Sequence, residues 1–112
     1  MPKASLRKSN DLLQQLKLKL KAKVWLYPVM AGWHFLSLPE KESAQIREKF
    51  KLMQRGWGSL PVSVTIGKTT WKTSIFPDKK TKSYLFPLKA DVRKKEKISE
   101  GDVVAFSLDI QP

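Results

Sequence analysis

The sequence predicts a small all-β domain: six strands in a barrel or sandwich, with two short helices as plugs. Three observations carry that expectation. Leu16, Leu18, Leu20, Ala22, Val24 and Leu26 alternate strictly with Lys17, Lys19, Lys21, Lys23, Trp25 and Tyr27, the period of a strand with one buried and one solvated face. The chain from Tyr84 onward reads as strand, proline stop, one or two turns of basic helix, a Gly101-Asp102 turn and a return strand. The third is a faint internal echo. Leu36 to Arg47 and Leu85 to Arg93 each run strand, proline and helix, ending Ile46-Arg47 and Val92-Arg93, and each leads through a glycine turn into a valine-rich strand.

The elements follow in order. Residues 1–15 are polar and basic around a single Leu12-Leu13 pair and read as a mobile arm or short helix, which leaves residues 16–112 as one domain. The alternating stretch from Leu16 is a long first strand ended by Pro28, and Trp33 to Leu38 is a shorter second one closed by Pro39. Glu42 to Met53 is helical, capped by Ser43 or an earlier residue, with Ile46, Phe50 and Met53 on one face and Gly56 as its left-handed stop. Pro61 to Ile66 is the third strand, turning inward at Val62, Val64 and Ile66. Gly67-Lys68 is a two-residue hairpin signal with glycine where a type II′ turn needs it, so Thr69 to Phe76 returns as the partner. Pro77 to Lys82 reads as a solvated loop, Ser83 to Leu88 as the fifth strand, and Asp102 to Ile110 as the sixth, with Val104, Phe106, Leu108 and Ile110 inward.

At 112 residues, 41% of them apolar, the chain can bury one core without staples. It has no cysteine, which excludes disulfides, thiolate metal sites and cysteine nucleophiles and suits a reducing cytoplasm. No apolar run approaches the roughly 20 residues that span a bilayer, and the basic N-terminus lacks the apolar stretch of a signal peptide, so a soluble, internal protein without membrane association is expected. The net charge of +12 is the strongest compositional signal. Half of it lies before Val24, where seven Lys and Arg face only Asp11. Such a field favours nucleic acid or another polyanion as partner. Excess lysine also keeps small proteins dispersed, and only Arg7, Arg47, Arg55 and Arg93 offer the fork that reads base edges.

The run Trp33-His34-Phe35, Leu38-Pro39, Ile46-Arg47, Gly56-Trp57-Gly58, Pro61-Val62, Thr65-Ile66-Gly67, Trp71 to Pro77, Tyr84-Leu85, Lys89, Val92-Arg93-Lys94 and Gly101-Asp102 resembles a bacterial and archaeal family classed as a domain of unknown function. The resemblance covers essentially everything from Leu16. It implies a closed six-stranded double-split β-barrel related to the AbrB, MazE and MraZ folds, with one chain supplying both halves. It implies no assigned activity, and the lysine-rich arm before Leu16 departs from its usual pattern.

Three constellations stand out. Lys17, Lys19, Lys21 and Lys23 share one strand face at a repeat of roughly 6.6 Å, close to the phosphate spacing of an extended single strand. Lysines on a long edge strand also block edge-to-edge pairing, the simpler reading because it needs no partner. Around the second helix, Lys89, Arg93 and Lys97 are spaced to project together beside Lys94 and Lys95, a set suited to phosphate or carboxylate. Arg93 and Arg47 can equally bond loop carbonyls at matching places in the two halves. Last, Trp25 and Tyr27 continue the lysine face as stacking platforms for unpaired bases, with Trp25 expected exposed, while Trp33, Trp57 and Trp71 read as plugs at the barrel ends.

Catalysis has little to stand on. His34, the single histidine, shares its strand face with Leu36 and Leu38 and reads as a satisfied, partly buried side chain. Ser74 with His34 lacks a third member, and no spacing fits a metal or a cofactor. The sequence therefore points to a monomeric, non-enzymatic binding module, with no cofactor and no metal. The leading expectation is weak electrostatic contact with DNA or RNA through the arm, Lys17, Lys19, Lys21, Lys23, Trp25, Lys94 and Lys95. The alternative is a small anionic ligand or a protein partner at a barrel-end pocket of Trp57, Ser74, Lys89 and Arg93.

Overall fold

The computed structural model describes residues 15–29, 32–53 and 58–111. The expected basic arm, apart from Gln15, and the expected Gly56 helix stop with Trp57 lie outside the described residues. The chain folds mainly as β-structure: seven strands in one strongly curled, half-barrel sheet, with two helices. The strands are β1 (Leu16–Lys23), β2 (Trp25–Leu26), β3 (His34–Ser37), β4 (Leu60–Ile66), β5 (Thr69–Asp78), β6 (Ser83–Pro87) and β7 (Val103–Ile110). The helices are α1 (Glu40–Phe50) and α2 (Ala90–Glu96). Strand order is β1-β7-β4-β5-β6-β3-β2.

Seven strands replace the expected six because the long first strand breaks at Val24. Before the break the chain pairs antiparallel with β7, Leu16 opposite Ile110 through Lys23 opposite Val103; after it, Trp25 and Leu26 pair with Phe35 and His34. Val24 itself donates its N–H to the Asp102 carbonyl and accepts from the Gly101 N–H, both at 2.9 Å. The alternation runs through unbroken because side-chain polarity records which face is buried, not which neighbour accepts the hydrogen bonds. β5 changes partner in the same way. Leu60 to Ile66 of β4 face Ile75 to Thr69, whereas Phe76, Pro77 and Asp78 face Leu85, Tyr84 and Ser83 of β6. Pro77, expected in a loop, is thus the penultimate residue of a strand, where the missing N–H is tolerated.

The core comes from both halves. Leu36, Ile46, Phe50, Leu60, Val64, Ile75, Phe86 and Ile110 are all fully buried, each contributing roughly 1.5–3 kcal/mol through apolar burial. The rings of Phe86 and Phe106 meet edge to face at 5.4 Å. Val62, Val64, Ile66, Val104, Phe106, Leu108 and Ile110 all point into this core, as their spacing predicts.

The internal repeat is real in the backbone, in a register different from the one the motifs suggest. The Leu38 N–H donates to the Tyr84 carbonyl and the Leu88 N–H to the His34 carbonyl, both at 2.8 Å. The helix N-caps, Pro39 and Lys89, share one backbone conformation (φ −56, ψ 152 and φ −58, ψ 149). Lys89 therefore corresponds to Pro39 and Arg93 to Ser43. Arg47 has no place opposite Arg93; it is exposed and its Nη2 donates to the Lys82 carbonyl at 2.8 Å, holding the β5–β6 turn. α1 begins two residues earlier than expected, without a side-chain cap, and Ser43 lies inside it. Fully buried, Ser43 accepts the Tyr84 N–H at 2.9 Å through Oγ, tying helix to strand.

Gly67 does occupy the positive-φ position of the β4–β5 turn (φ 55), and Ile66 pairs with Thr69 across it. The Glu96 carboxylate packs over Gly67 and accepts from Thr69 Oγ1 at 2.6 Å, which fastens α2 to the hairpin. Two stability outcomes follow, both measurable by urea unfolding. Gly67→Ala is expected to lose about 1–2 kcal/mol, since a Cβ there meets both the left-handed backbone and the Glu96 carboxylate. Ser43→Ala is expected to lose about 1–2 kcal/mol by removing the acceptor of a buried bond.

Candidate functional site

β1 presents Lys17, Lys19, Lys21 and Lys23 outward and exposed, with Leu16, Leu18, Leu20 and Ala22 turned towards the core. Across the ladder from the lysines stand Asp109, Ser107, Ala105 and Val103 on β7, and beyond them Ser63 and Thr65 of β4 and Thr70 of β5. Every one of these side chains except Val103 is short. The outer face consequently sinks beside the lysines into two open troughs, of about 610 Å³ (Lys17, Lys19, Ser63, Thr65, Thr70, Ser107 and Asp109) and about 450 Å³ (Lys19, Lys21, Thr65, Gly67, Ala105 and Ser107). Hydroxyls floor the trough, and two of them, Thr65 and Thr70, bond each other at 2.8 Å. The acidic group at the Lys17 end, Asp109, accepts from Gln15 Nε2 at 3.1 Å.

The same strand face continues past Val24 into aromatic side chains. Trp25 is half-buried, not exposed as expected: its ring stacks on Phe35 at 5.1 Å and its Nε1 donates to Ser37 Oγ at 2.9 Å. Phe35 is the hub. Tyr27 meets its ring edge-on at 6.0 Å and Trp33 lies tilted against it at 6.0 Å. Tyr27 (41% exposed) and Trp33 (50% exposed) offer the open faces. Trp33 therefore belongs to this outer platform and does not plug a barrel end. Trp71, in contrast, is partly buried against the core beside Phe86.

A separate cleft of about 280 Å³ opens beside the platform, lined by Gly32, Trp33, His34, Pro87, Leu88, Lys89, Ala90 and Arg93. It brings together Lys89 and Arg93 from the expected ligand set and adds His34. Arg93, half-buried, donates through Nε to the Leu88 carbonyl at 3.1 Å and sets Nη1 3.5 Å from His34 Nε2. His34 Nδ1 lies 2.9 Å from the Gly32 carbonyl; a carbonyl can only accept, so Nδ1 carries the proton and the lone pair of a neutral ring sits on Nε2, facing Arg93. His34 is thus satisfied and partly buried, as expected, but by an arginine. Ser74 does not line this cleft; it stands on β5 opposite Pro61, apart from His34. Lys97 does not line it either; it is the left-handed residue (φ 55) that ends α2. Lys94 and Lys95 are exposed on α2 and line none of these hollows.

Among the described residues no group of His, Asp and Glu could hold a metal ion, and no helix is long and apolar enough to cross a membrane. Sequence reasoning missed the hydroxyl floor and the Phe35 hub. The floor could have been found by pairing Ser63, Thr65, Thr70 and Ser107 across strands, since all fall on the outward parity of their strands.

Residues 21–108 match the family described as Domain of unknown function (DUF1905). A search of curated proteins finds no match to the chain. The platform's dependence on its hub is directly measurable. Phe35→Ala removes the ring that Trp25, Tyr27 and Trp33 share, so the near-ultraviolet circular dichroism of the aromatics is expected to collapse while unfolding costs about 1–3 kcal/mol less.

Proposed function

The chain belongs to the DUF1905 family, a domain of unknown function, and on that footing we propose that it is a non-enzymatic module that binds single-stranded nucleic acid along the outer face of its sheet. One observation carries the reading: the exposed lysines of β1 are followed along the chain by the exposed rings of Tyr27, just after β2, and Trp33, just before β3, which meet on Phe35. Proteins that hold unpaired strands without reading their sequence combine these two features, cations that follow the backbone and rings on which bases stack. The short hydroxyl side chains beside the lysines support it further, because they let a phosphate chain approach the sheet and offer it donors. Duplex DNA is a poorer fit. Base edges in a major groove are read best by arginine forks, and Arg93 is committed to its own cleft.

We also read the curled sheet as completing a six-stranded barrel through the Val24 junction, with β1 and β2 counted as one strand. The bonds of residues 16–26 to β7 on one side and to β3 on the other support that closure. It would keep the lysine face and the aromatic face in fixed relative position.

The test is anisotropy of a labelled twelve-base single strand, in DNA and RNA forms, across a salt series. Four lysine–phosphate contacts predict a slope of about −3 in log affinity against log salt. Lys19→Glu with Lys21→Glu removes two of the four contacts and is expected to cut that slope by about half or more. Tyr27→Ala with Trp33→Ala is expected to weaken binding by about tenfold or more while leaving the slope unchanged. Absence of binding even at low ionic strength would dismiss the reading.

A further inference from the structure

The two halves of the repeat solve one packing problem in two ways, and the difference marks a second site. In the first half the helix starts at Pro39 and, one turn later, the fully buried Ser43 closes on the Tyr84 N–H. At the equivalent positions of the second half stand Lys89 and Arg93, and the strand residue equivalent to Tyr84 is His34. The first arrangement is compact and neutral. The second replaces a proline by a lysine, a serine by an arginine and a tyrosine by a histidine, and opens a cleft of about 280 Å³ where these residues meet.

The charge in that cleft is unbalanced. Arg93 has given Nε to Leu88 and aims Nη1 at His34; among the described residues Nη2 has no acceptor and no carboxylate lines the walls. Asp91, the acidic residue nearest in sequence, is exposed on α2 and makes no ion pair with either cation; among the described residues the ion pair present is Lys51 with Glu48. A half-buried guanidinium is costly to leave unmatched. The remaining walls, Trp33, Pro87 and Leu88, are apolar and suit the group to which an anion is attached.

We propose that the cleft of His34, Lys89 and Arg93 is a binding site for a phosphate monoester. Two cations match its charge of about −1.5 to −2, and the Arg93 N–H groups and the Lys89 ammonium supply donors from two directions. His34 is the positioning residue: its bond to Gly32 fixes the ring, and the ring's Nε2 steadies Nη1 so that the outer edge of the guanidinium faces the opening. Trp33 forms a wall of this cleft as well as a rim of the outer platform. The same phosphate chemistry can come from a free phosphorylated small molecule or from the terminal phosphate of a nucleic-acid strand. The site itself does not depend on strand binding along β1.

Amide NMR of the intact chain tests it with phenyl phosphate, inorganic phosphate and acetate as probes. Phenyl phosphate is expected to shift the amides of Gly32, Trp33 and Ala90 saturably, with acetate weaker by about tenfold or more. Lys89→Ala, an exposed position, is expected to weaken phenyl phosphate about tenfold, and Arg93→Gln to abolish saturation. Arg93→Lys, which keeps the charge and loses the fork, checks that the loss is not one of folding and is expected to restore weak binding. The Lys19→Glu, Lys21→Glu double variant should leave this titration unchanged, so failure here and failure of strand binding are separable. A twelve-base strand bearing a 5′ phosphate that outcompetes its 5′-hydroxyl counterpart about tenfold for these amides identifies a strand terminus as the source; equal competition identifies a free small molecule. Shifts that never saturate, or that survive Lys89→Ala and Arg93→Gln unaltered, overturn the proposal.

Discussion

The pair of backbone hydrogen bonds around Val24 is the constraint from which the rest of the molecule follows. Val24 bonds to Gly101 and Asp102, at the very start of β7, and one residue later the chain is paired with β3 instead. Its side chain is 1% exposed, so this partner change happens against the core and not at a frayed edge. A strand that serves two neighbours must bend, and the bend curls the sheet around the apolar side chains of both halves. β5 repeats the manoeuvre between β4 and β6. With two such strands β3 comes to lie beside β6, which sets His34 against Arg93.

Most of the elements were legible in the sequence because their evidence is local. Alternation identified β1, β4 and β7, the Gly67 turn identified the β4–β5 hairpin, and prolines fixed the starts of α1 and the end of β6 within a residue or two. What was not legible is non-local. The motif echo placed Arg47 opposite Arg93 because both follow an apolar residue near the end of a helix. The backbone aligns the helix starts instead, and α1 is four residues longer than α2. Likewise, Ser43 looked like a cap since serine usually serves there, whereas tertiary packing drew it inside the helix to meet a strand N–H. Of the ligand residues, Lys89 and Arg93 were found by their helical spacing. His34 was read as a satisfied, partly buried side chain and not as part of the ligand set, because its Arg93 partner lies fifty-nine positions away.

Trp25 illustrates a similar limit. Strand parity correctly puts it on the lysine face, yet parity says nothing about what a neighbouring strand lays over a ring. Phe35 and Ser37 on β3 take up its face and its N–H, and the open surfaces pass to Tyr27 and Trp33. Of the two rings expected to stack, Tyr27 keeps an open surface and Trp25 does not, and Trp33 joins Tyr27 beside the His34 cleft.

The choice between edge protection and ligand contact for the lysines of β1 turns on what lies next to them. β1 stands at one end of the strand order, and lysines there do discourage a second chain from pairing. Protection of that kind would be undone by adjacent exposed apolar surface. Yet β2, the other end of the order, carries Tyr27, Trp33 and Val29 (80% exposed) in its immediate surroundings. Dispersal alone does not account for rings at those exposed positions, where Tyr27 and Trp33 also pack on Phe35. Edge protection accounts for the lysines alone, whereas the proposed strand contact draws on the lysines, the open rings and the floor of hydroxyls together.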